Sequence, residues 1–344
     1  MLERPLRIAY FLADTDLSGG VRVVLAHADG LIARGHEVTI FTPGLPLSWI
    51  RSRAEWKYVD DFDTIDASSF DFVIGTFWTT VRSAWNVAHE RAIHLCQGYE
   101  GAFTAYQEIR GEIDAVYALP IPKLVVSPHL IEVCRRFTPR VFWIGQVVDQ
   151  SFYRSGRGTE HEPLRVLLAG ASQIDFKGVD VGYGAALHAR AQGGVFDLVR
   201  VSPWAPSNEE PVREHVAEFH VALDAEAMTR LVHSCDLFLG PSRHEEGFGL
   251  PAVEAMAAAL PVVLTRIPSF LAFDERKDFA LWAGEDDAVG LGDQLFDLLM
   301  DEELRRKLGR RGREVAEKFR LEKVSEVLEG TLLELRGEGD STRR

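Results

Sequence analysis

The chain has 344 residues, 46% apolar and 26% charged, a soluble globular composition long enough for two domains of ordinary size. Its net charge of −14 excludes a general nucleic-acid binder, and no apolar run approaches the ~20 residues that span a bilayer. The opening Met1-Leu-Glu-Arg-Pro-Leu-Arg has no signal-peptide core, and Cys96, Cys134 and Cys235 read as buried thiols of a reducing compartment, without metal-ligand spacing. The expectation is a cytoplasmic protein, with membrane association at most peripheral and no nucleic-acid partner.

In chain order, Leu6–Ala13 reads as a first buried parallel strand, nearly continuous in apolar residues. A polar loop with Ser18-Gly19-Gly20 follows, then a helical pattern from Val21 to Arg34 closed by Gly35. Further strands are expected at Glu37–Thr42, Phe72–Gly75, Ala92–Cys96, Leu124–Val126 and Val141–Ile144, with helices between them. From Gly145 to Gly158 the pattern breaks into polar, glycine-containing sequence, which reads as a linker. A second series runs through Leu164–Ala169, Val195–Val201, Asp236–Leu239 and Pro261–Leu264. From Asp301 the chain is charged and helical, with a broken apolar stripe of Leu304, Leu308, Val315, Phe319, Val324, Leu328 and Leu332. The fold class is therefore α/β, with two doubly wound Rossmann-like domains, 1–150 and 151–318, and a C-terminal helix over 319–344. Ligands of such sheets bind beyond the carboxyl ends of the strands.

The most specific run is Glu246-Gly-Phe-Gly-Leu-Pro-Ala-Val-Glu254-Ala-Met, which follows the apolar run Asp236–Leu239 and Pro241-Ser242. It places Glu246 in a loop and Glu254 about two turns into the following helix. A helix N-terminus attracts anions and carboxylates accept hydrogen bonds from hydroxyls, so a nucleotide sugar would satisfy both. Two lone Glu residues at this spacing would read as solvated surface acids. The whole run resembles the retaining glycosyltransferases of family 4, whose GT-B fold faces its two domains across a central cleft.

That resemblance spans about Leu6 to Leu335 and implies a nucleoside-diphosphate sugar as co-substrate, a hydroxyl acceptor and no cofactor; the scattered His and Asp, with no metal cluster visible among them, predict metal independence. It assigns Glu254 to the ribose hydroxyls, and Glu246 with the backbone of Gly247, Phe248, Gly249 and Leu250 to the donor sugar. Lys177, in Asp175-Phe-Lys-Gly-Val-Asp180, would stabilise the departing diphosphate. The family carries an Arg five positions before this Lys, where the chain has Ser172; Arg243 or Arg22 would then serve the second phosphate charge. Gly19 and Gly20 match the family's Gly-Gly loop beside Gly-His-Glu-Val-Thr at 35–39, and by that resemblance their backbone would face the donor phosphate or the acceptor, although locally a tight turn explains them equally well. Gln97 stands where a His is frequent, while His94 reads as a buried, hydrogen-bonded core histidine. Gln97-Gly-Tyr-Glu100, Phe77-Trp-Thr-Thr80 and Gly19-Gly-Val-Arg22 are similar to a rhamnosyltransferase-like subgroup of surface-polysaccharide assembly. The C-terminal helix would cross back onto the first domain. Two other readings stand beside transfer: a sugar-nucleotide 2-epimerase of the same architecture, and a non-catalytic nucleotide-sugar binder.

Overall fold

The structure, a computed structural model, describes residues 4–44, 47, 49–154, 160–210 and 215–342. The chain divides into two compact units, one of residues 1–147 with 321–344 and the other of residues 148–320.

Unit 1 comprises β1 (Arg7–Phe11), α1 (Gly19–Ala33), β2 (Glu37–Thr42), β3 (Glu55–Tyr58), β4 (Phe72–Gly75), α2 (Trp78–Ala88) and β5 (Ala92–Cys96). It continues with α3 (Arg110–Tyr117), β6 (Lys123–Val125), α4 (His129–Arg135) and β7 (Val141–Trp143). Its seven strands are all parallel in the order β3-β2-β1-β4-β5-β6-β7. Parallel strands covered by helices on both faces carry unbroken apolar runs, and Ile8 to Phe11 and Phe72 to Ile74 are accordingly buried. One face of the sheet packs Phe11, Val73 and Phe41 against Val81 and Ala84 of α2.

Helix α1 begins two residues earlier than the sequence pattern suggests. Ser18 is its N-cap, accepting a hydrogen bond from the Val21 N–H, so Gly19 and Gly20 form the first turn of the helix and not a loop. The C-terminal helix Leu321–Thr342 packs on α1 within this unit. There Glu329 accepts from Arg34 and pairs with His36 Nε2 at 2.9 Å, while His36 Nδ1 accepts from the Leu6 N–H. The apolar stripe expected after Asp301 is split. Leu308, Val315 and Phe319 are buried in unit 2, and Val324, Leu328 and Leu332 in unit 1.

Unit 2 comprises β8 (Leu164–Ala169), α5 (Val179–Ala191), β9 (Phe196–Ser202), β10 (Glu218–Val221), α6 (Ala225–His233) and β11 (Leu237–Gly240). After these come α7 (Leu250–Ala257), β12 (Val262–Thr265), α8 (Pro268–Leu271), β13 (Ala280–Ala283), α9 (Ala288–Met300) and α10 (Glu302–Ala316). The sheet is again parallel, in the order β10-β9-β8-β11-β12-β13. Its direction of progression reverses between β8 and β11, the place where doubly wound sheets leave a crevice at their carboxyl edge.

The expected linker is partly structured. Phe152 and Tyr153 are buried in unit 2, with the Tyr153 hydroxyl donating to Ala316 O at 2.6 Å, because two aromatic side chains there have more to gain from burial than from solvent. Residues 155–158 of that stretch lie outside the described residues. The strands β3, β10 and β13, absent from the sequence reading, all lie at sheet edges.

Gly30 on α1 sits so close to the C-terminal helix that an added Cβ would meet Ser325 Oγ at 2.0 Å and Ser325 Cβ at 3.1 Å. Gly30→Ala should destabilise the protein by about 1–3 kcal/mol in urea unfolding. Adding Ser325→Ala, which removes the clashing oxygen, should restore much of the loss. Equal stability of Gly30→Ala and wild type would refute this helix contact.

Candidate functional site

Lys177 and Glu246 stand on the loops that leave β8 and β11, the two strands flanking the reversal of the unit 2 sheet. The first loop ends in a short 3-10 turn, Asp175–Lys177, followed by Gly178 at φ +59°. A Cβ at Gly178 would lie 2.0 Å from the Pro241 carbonyl oxygen, so glycine alone allows the two loops to meet. Across this contact Lys177 Nζ donates to Glu246 Oε2 at 2.6 Å, and Ser242 Oγ donates to the same oxygen at 3.2 Å. The Lys177 side chain is 22% exposed and that of Glu246 9%, so the pair is accessible but mostly shielded from solvent. Lys177 Nζ also lies 4.9 Å from the centre of the Phe176 ring. Beside the pair is a small cavity of about 30 Å³, lined by Gly170, Ser242, Gly249 and Phe270 among others.

The glycine loop is held by its aromatic residue. Phe248 is buried, with ring centres 5.3 Å from both Phe273 and Phe319, so it anchors the loop and only its backbone can face a ligand. Gly249 caps α7 at φ +86°, where a Cβ would approach Phe270 to 2.2 Å. Helix α7 opens with Leu250 and Pro251, the position that tolerates a proline because its N–H would find no helical partner. Glu254 is fully buried and is the fifth residue of α7, one turn in and not two, because the helix begins only at Leu250.

Ser172 Oγ donates to Glu210 Oε2 at 2.6 Å. Glu210 also accepts from Tyr183 at 2.9 Å and from Arg200 at 2.9 and 2.7 Å. Arg200 is fully enclosed on β9 and donates to the carbonyls of Leu168 and Gly170, the latter at the start of the same loop. This guanidinium went unnoticed in the sequence; the signal was one charge inside an apolar strand. Arg243 is engaged by three aspartates, Asp286 at 2.8 Å, Asp180 at 3.0 Å and Asp175 at 3.4 Å, which compensates its charge locally.

Next to Arg243, His244 Nδ1 lies 2.7 Å from Glu285 Oε1 and His244 Nε2 lies 3.6 Å from Glu245. Their ligand atoms fall within 4.8 Å, a metal-like composition that chain spacing did not disclose. The hydrogen bond to Glu285 raises the His244 pKa, with Glu245 reinforcing it, and so favours the imidazolium, which has no lone pair for a metal.

The remaining residues lie in unit 1. Gly20 faces the Gln97 side chain, whose amide atoms would lie 3.6–3.7 Å from a Cβ at Gly20. Gly19 is open on that side, and Arg22 is on the same helix turn. His94 is buried, as expected, but not hydrogen-bonded: neither ring nitrogen has a partner among the described residues, and its ring meets Tyr117 edge-on at 4.6 Å. The aromatic edge has taken the place of the expected acceptor. A larger cavity of about 700 Å³, lined by Arg7, Thr39, Phe41, Lys57 and Val59 among others, runs along β2 and β3 and contains none of the candidate site residues.

Residues 209–315 match the family described as "Glycosyl transferases group 1". Over 98 residues the chain is 39% identical to N-acetyl-alpha-D-glucosaminyl L-malate synthase of Bacillus anthracis, covering 28% of this chain and 26% of that protein. Over 92 residues it is 36% identical to an uncharacterized glycosyltransferase of Methanocaldococcus jannaschii, covering 27% and 26%. The chain thus spans about a quarter of the length of these relatives.

Among solved structures, sucrose-phosphate synthase from Thermosynechococcus elongatus superposes with a TM-score of 0.81 over 97% of this chain and 100% of that one, at 18% identity. Anabaena HepE in complex with UDP-glucose superposes at 0.77 over 96% and 100%, at 11% identity. The fold is GT-B. In this GT-B chain Gln97 follows β5 of unit 1, Lys177 and Glu246 lie on loops after β8 and β11 of unit 2, and only unit 2 overlaps the family match.

The turn after Gln97 carries a carboxyl with unusual titration. Burial pushes Glu100 up from 4.5 to about 7, against a 2.5 Å hydrogen bond with Tyr117 that favours the anion. The folded state therefore holds an extra proton between these values, and its contribution to stability is lost as pH rises from 4.5 through 7. Glu100→Gln stays neutral, so its stability relative to wild type should climb by roughly 3 kcal/mol from pH 4.5 to pH 8 in urea unfolding. A difference independent of pH would show that folding leaves the Glu100 pKa unshifted.

Proposed function

We propose that this protein is a retaining, metal-independent glycosyltransferase that moves a sugar from a nucleoside-diphosphate sugar to a hydroxyl acceptor. The observation that carries the reading is the Lys177–Glu246 contact at the reversal point of a sheet whose residues 209–315 match group 1 glycosyl transferases. A lone ammonium paired with a carboxylate at a crevice can exchange that partner for a phosphate, a cationic contact suited to a leaving diphosphate. The UDP-glucose complex of HepE, a neighbour in fold, supports the donor class.

In this reading Lys177 turns its charge to the diphosphate when the donor arrives, and Glu246 is released to accept hydrogen bonds from sugar hydroxyls. The opening turn of α7, at Gly249 and Leu250, directs its N–H groups and helix dipole toward negative charge. Glu254, farther along that helix, takes the ribose hydroxyls. The bond from the anomeric carbon to the diphosphate oxygen breaks, the acceptor oxygen bonds to that carbon on the same face, and the acceptor proton passes to the leaving phosphate. On unit 1, the Gly19 and Gly20 backbone meets the donor phosphate or the acceptor, and Arg22 and Gln97 lie close to it. A role in polysaccharide or other glycoconjugate synthesis in the cytoplasm completes the proposal.

Thermal unfolding with UDP, GDP and dTDP should show stabilisation by at least one of them, growing with concentration as RT ln(1 + [L]/Kd). With the donor so identified, Lys177→Ala and Glu246→Ala should each lower transfer by on the order of 10²-fold. No stabilisation by any nucleoside diphosphate, or turnover within a few-fold of wild type in both variants, would overturn the reading. NMR of the product anomer checks retention, and unchanged turnover in EDTA checks metal independence.

A further inference from the structure

Unit 1 contains a buried group of reactive side chains that the glycosyl-transfer reading does not use. Cys96 ends β5 and Cys134 lies on α4; both are almost fully enclosed, and their sulfurs are 3.6 Å apart. Cys96 Sγ lies 3.2 Å from Gly98 O and 3.6 Å from the Tyr117 hydroxyl. Register places His94 beside Lys123 and Cys96 beside Val125, so His94, Cys96 and Lys123 share one face of the sheet.

Lys123 is the unusual member. It is completely buried, and its Nζ has no hydrogen-bond partner among the described residues; the ammonium lies 5.5 Å from the centre of the Tyr117 ring. Burial lowers the Lys123 pKa, and an ammonium in such a place costs several kcal/mol unless an anion forms beside it. The groups facing it limit what that anion can be. Burial holds His94 well below its ordinary pKa, hence neutral; Tyr117 is driven up by burial, hence a phenol; and Glu100 titrates only near 7. The thiols remain. Contact with Cys96 brings the Cys134 thiol below its ordinary value against burial, which raises it, with a smaller lowering from the Lys123 charge, while contact with Cys134 and burial drive Cys96 up. The two thiols are in van der Waals contact, the starting arrangement for a disulfide, and their enclosure slows an oxidant that must reach them.

We propose that Cys96 and Cys134 are a redox-active dithiol that a peroxide closes to a reversible intramolecular disulfide. The Cys134 thiolate attacks a peroxide oxygen: an S–O bond forms, the O–O bond breaks, and hydroxide leaves as water after taking a proton. The Cys96 thiol then attacks the sulfenic sulfur, forming the S–S bond and expelling a second water that carries the Cys96 proton. Two thiols lose two electrons and the peroxide gains them. The sulfurs must close by about 1.5 Å to reach disulfide length, which side-chain rotation within a contacting pair can supply. Closure removes the thiol hydrogen from the Gly98 carbonyl, in the turn that carries Gln97 beside Gly20, and so couples oxidation to that turn.

The test uses the native protein and hydrogen peroxide. After exposure, the protein is unfolded in iodoacetamide and mapped by mass spectrometry. Two of its three cysteines should escape alkylation, in a Cys96–Cys134 linked peptide lighter by two hydrogens, with Cys235 alkylated. Dithiothreitol should restore all three. Three alkylated cysteines, linkage through Cys235, or irreversible oxidation of single cysteines would overturn the proposal. Lys123→Met, checked for folding by circular dichroism, should close at least tenfold more slowly at equal peroxide; an unchanged rate would overturn the role given to its charge. The wild-type map decides the disulfide whether or not that variant folds.

Discussion

The approach of Gly178 to the Pro241 carbonyl is the constraint on which the unit 2 site depends. It brings the loop after β8 against the loop after β11, at the point where the sheet order reverses. Any side chain at position 178 would occupy the carbonyl oxygen's place, and the left-handed backbone there would strain it further. With the loops in contact, the residue just before Gly178 can reach only a short distance, and Glu246 lies within it. Arg243 ties the same loops from the other side through Asp175 and Asp180. The Lys177–Glu246 pair is therefore positioned by backbone packing and not by its own attraction.

This distinction separates two of the shielded ion pairs of unit 2. Arg200 is fully buried, and its guanidinium is shared among Glu210 and the carbonyls of Leu168 and Gly170. Separating that pair would strand a charge without water, a cost of about 3–5 kcal/mol, so it acts as a structural post beneath the loop of Ser172. Lys177 retains access to solvent and has Glu246 Oε2 as its hydrogen-bond partner among the described residues, so an arriving anion can replace that one oxygen. The same chemistry of cation and carboxylate is fixed in one case and exchangeable in the other, and burial makes the difference.

The internal strands were legible because parallel strands covered on both faces must be apolar at nearly every position; β2, β4, β5 and β8 occupy the ranges their composition suggests. The strands that escaped notice, β3, β10 and β13, close the edges of the sheets, where partial exposure permits Glu55, Lys57, Glu218 and His220. Edge strands are recognised by their pairing partner, which periodicity cannot supply. Among the site residues, Lys177, Glu246 and the glycines were visible as types at a motif spacing. The burial of Phe248 against Phe273 and Phe319 was not, since a motif does not say which of its members faces inward. Arg200 and the meeting of Cys96 with Cys134 depend on contacts between residues 10 and 38 positions apart, and only the folded chain brings them together.

The two units also differ in how the chain completes them. Unit 2 is continuous from 148 to 320, and all its strands and helices are available once that stretch exists. Unit 1 is interrupted: residues 1–147 supply the sheet, but the cover over α1 comes from the helix beginning at Leu321. Glu329 there meets Arg34 and His36, almost three hundred residues earlier, and Gly30 exists in its present form because Ser325 needs the space. Contacts of such separation carry a large loop-closure entropy if made from an unfolded chain, yet little if the intervening residues are already compact. A folded unit 2 shortens the effective loop between Val147 and Leu321. Its backbone bond from the Val148 N–H to the Phe319 carbonyl, 2.8 Å long, already joins the two places where the chain passes between units. The continuous unit thus lowers the entropic barrier to docking the C-terminal helix on the discontinuous one.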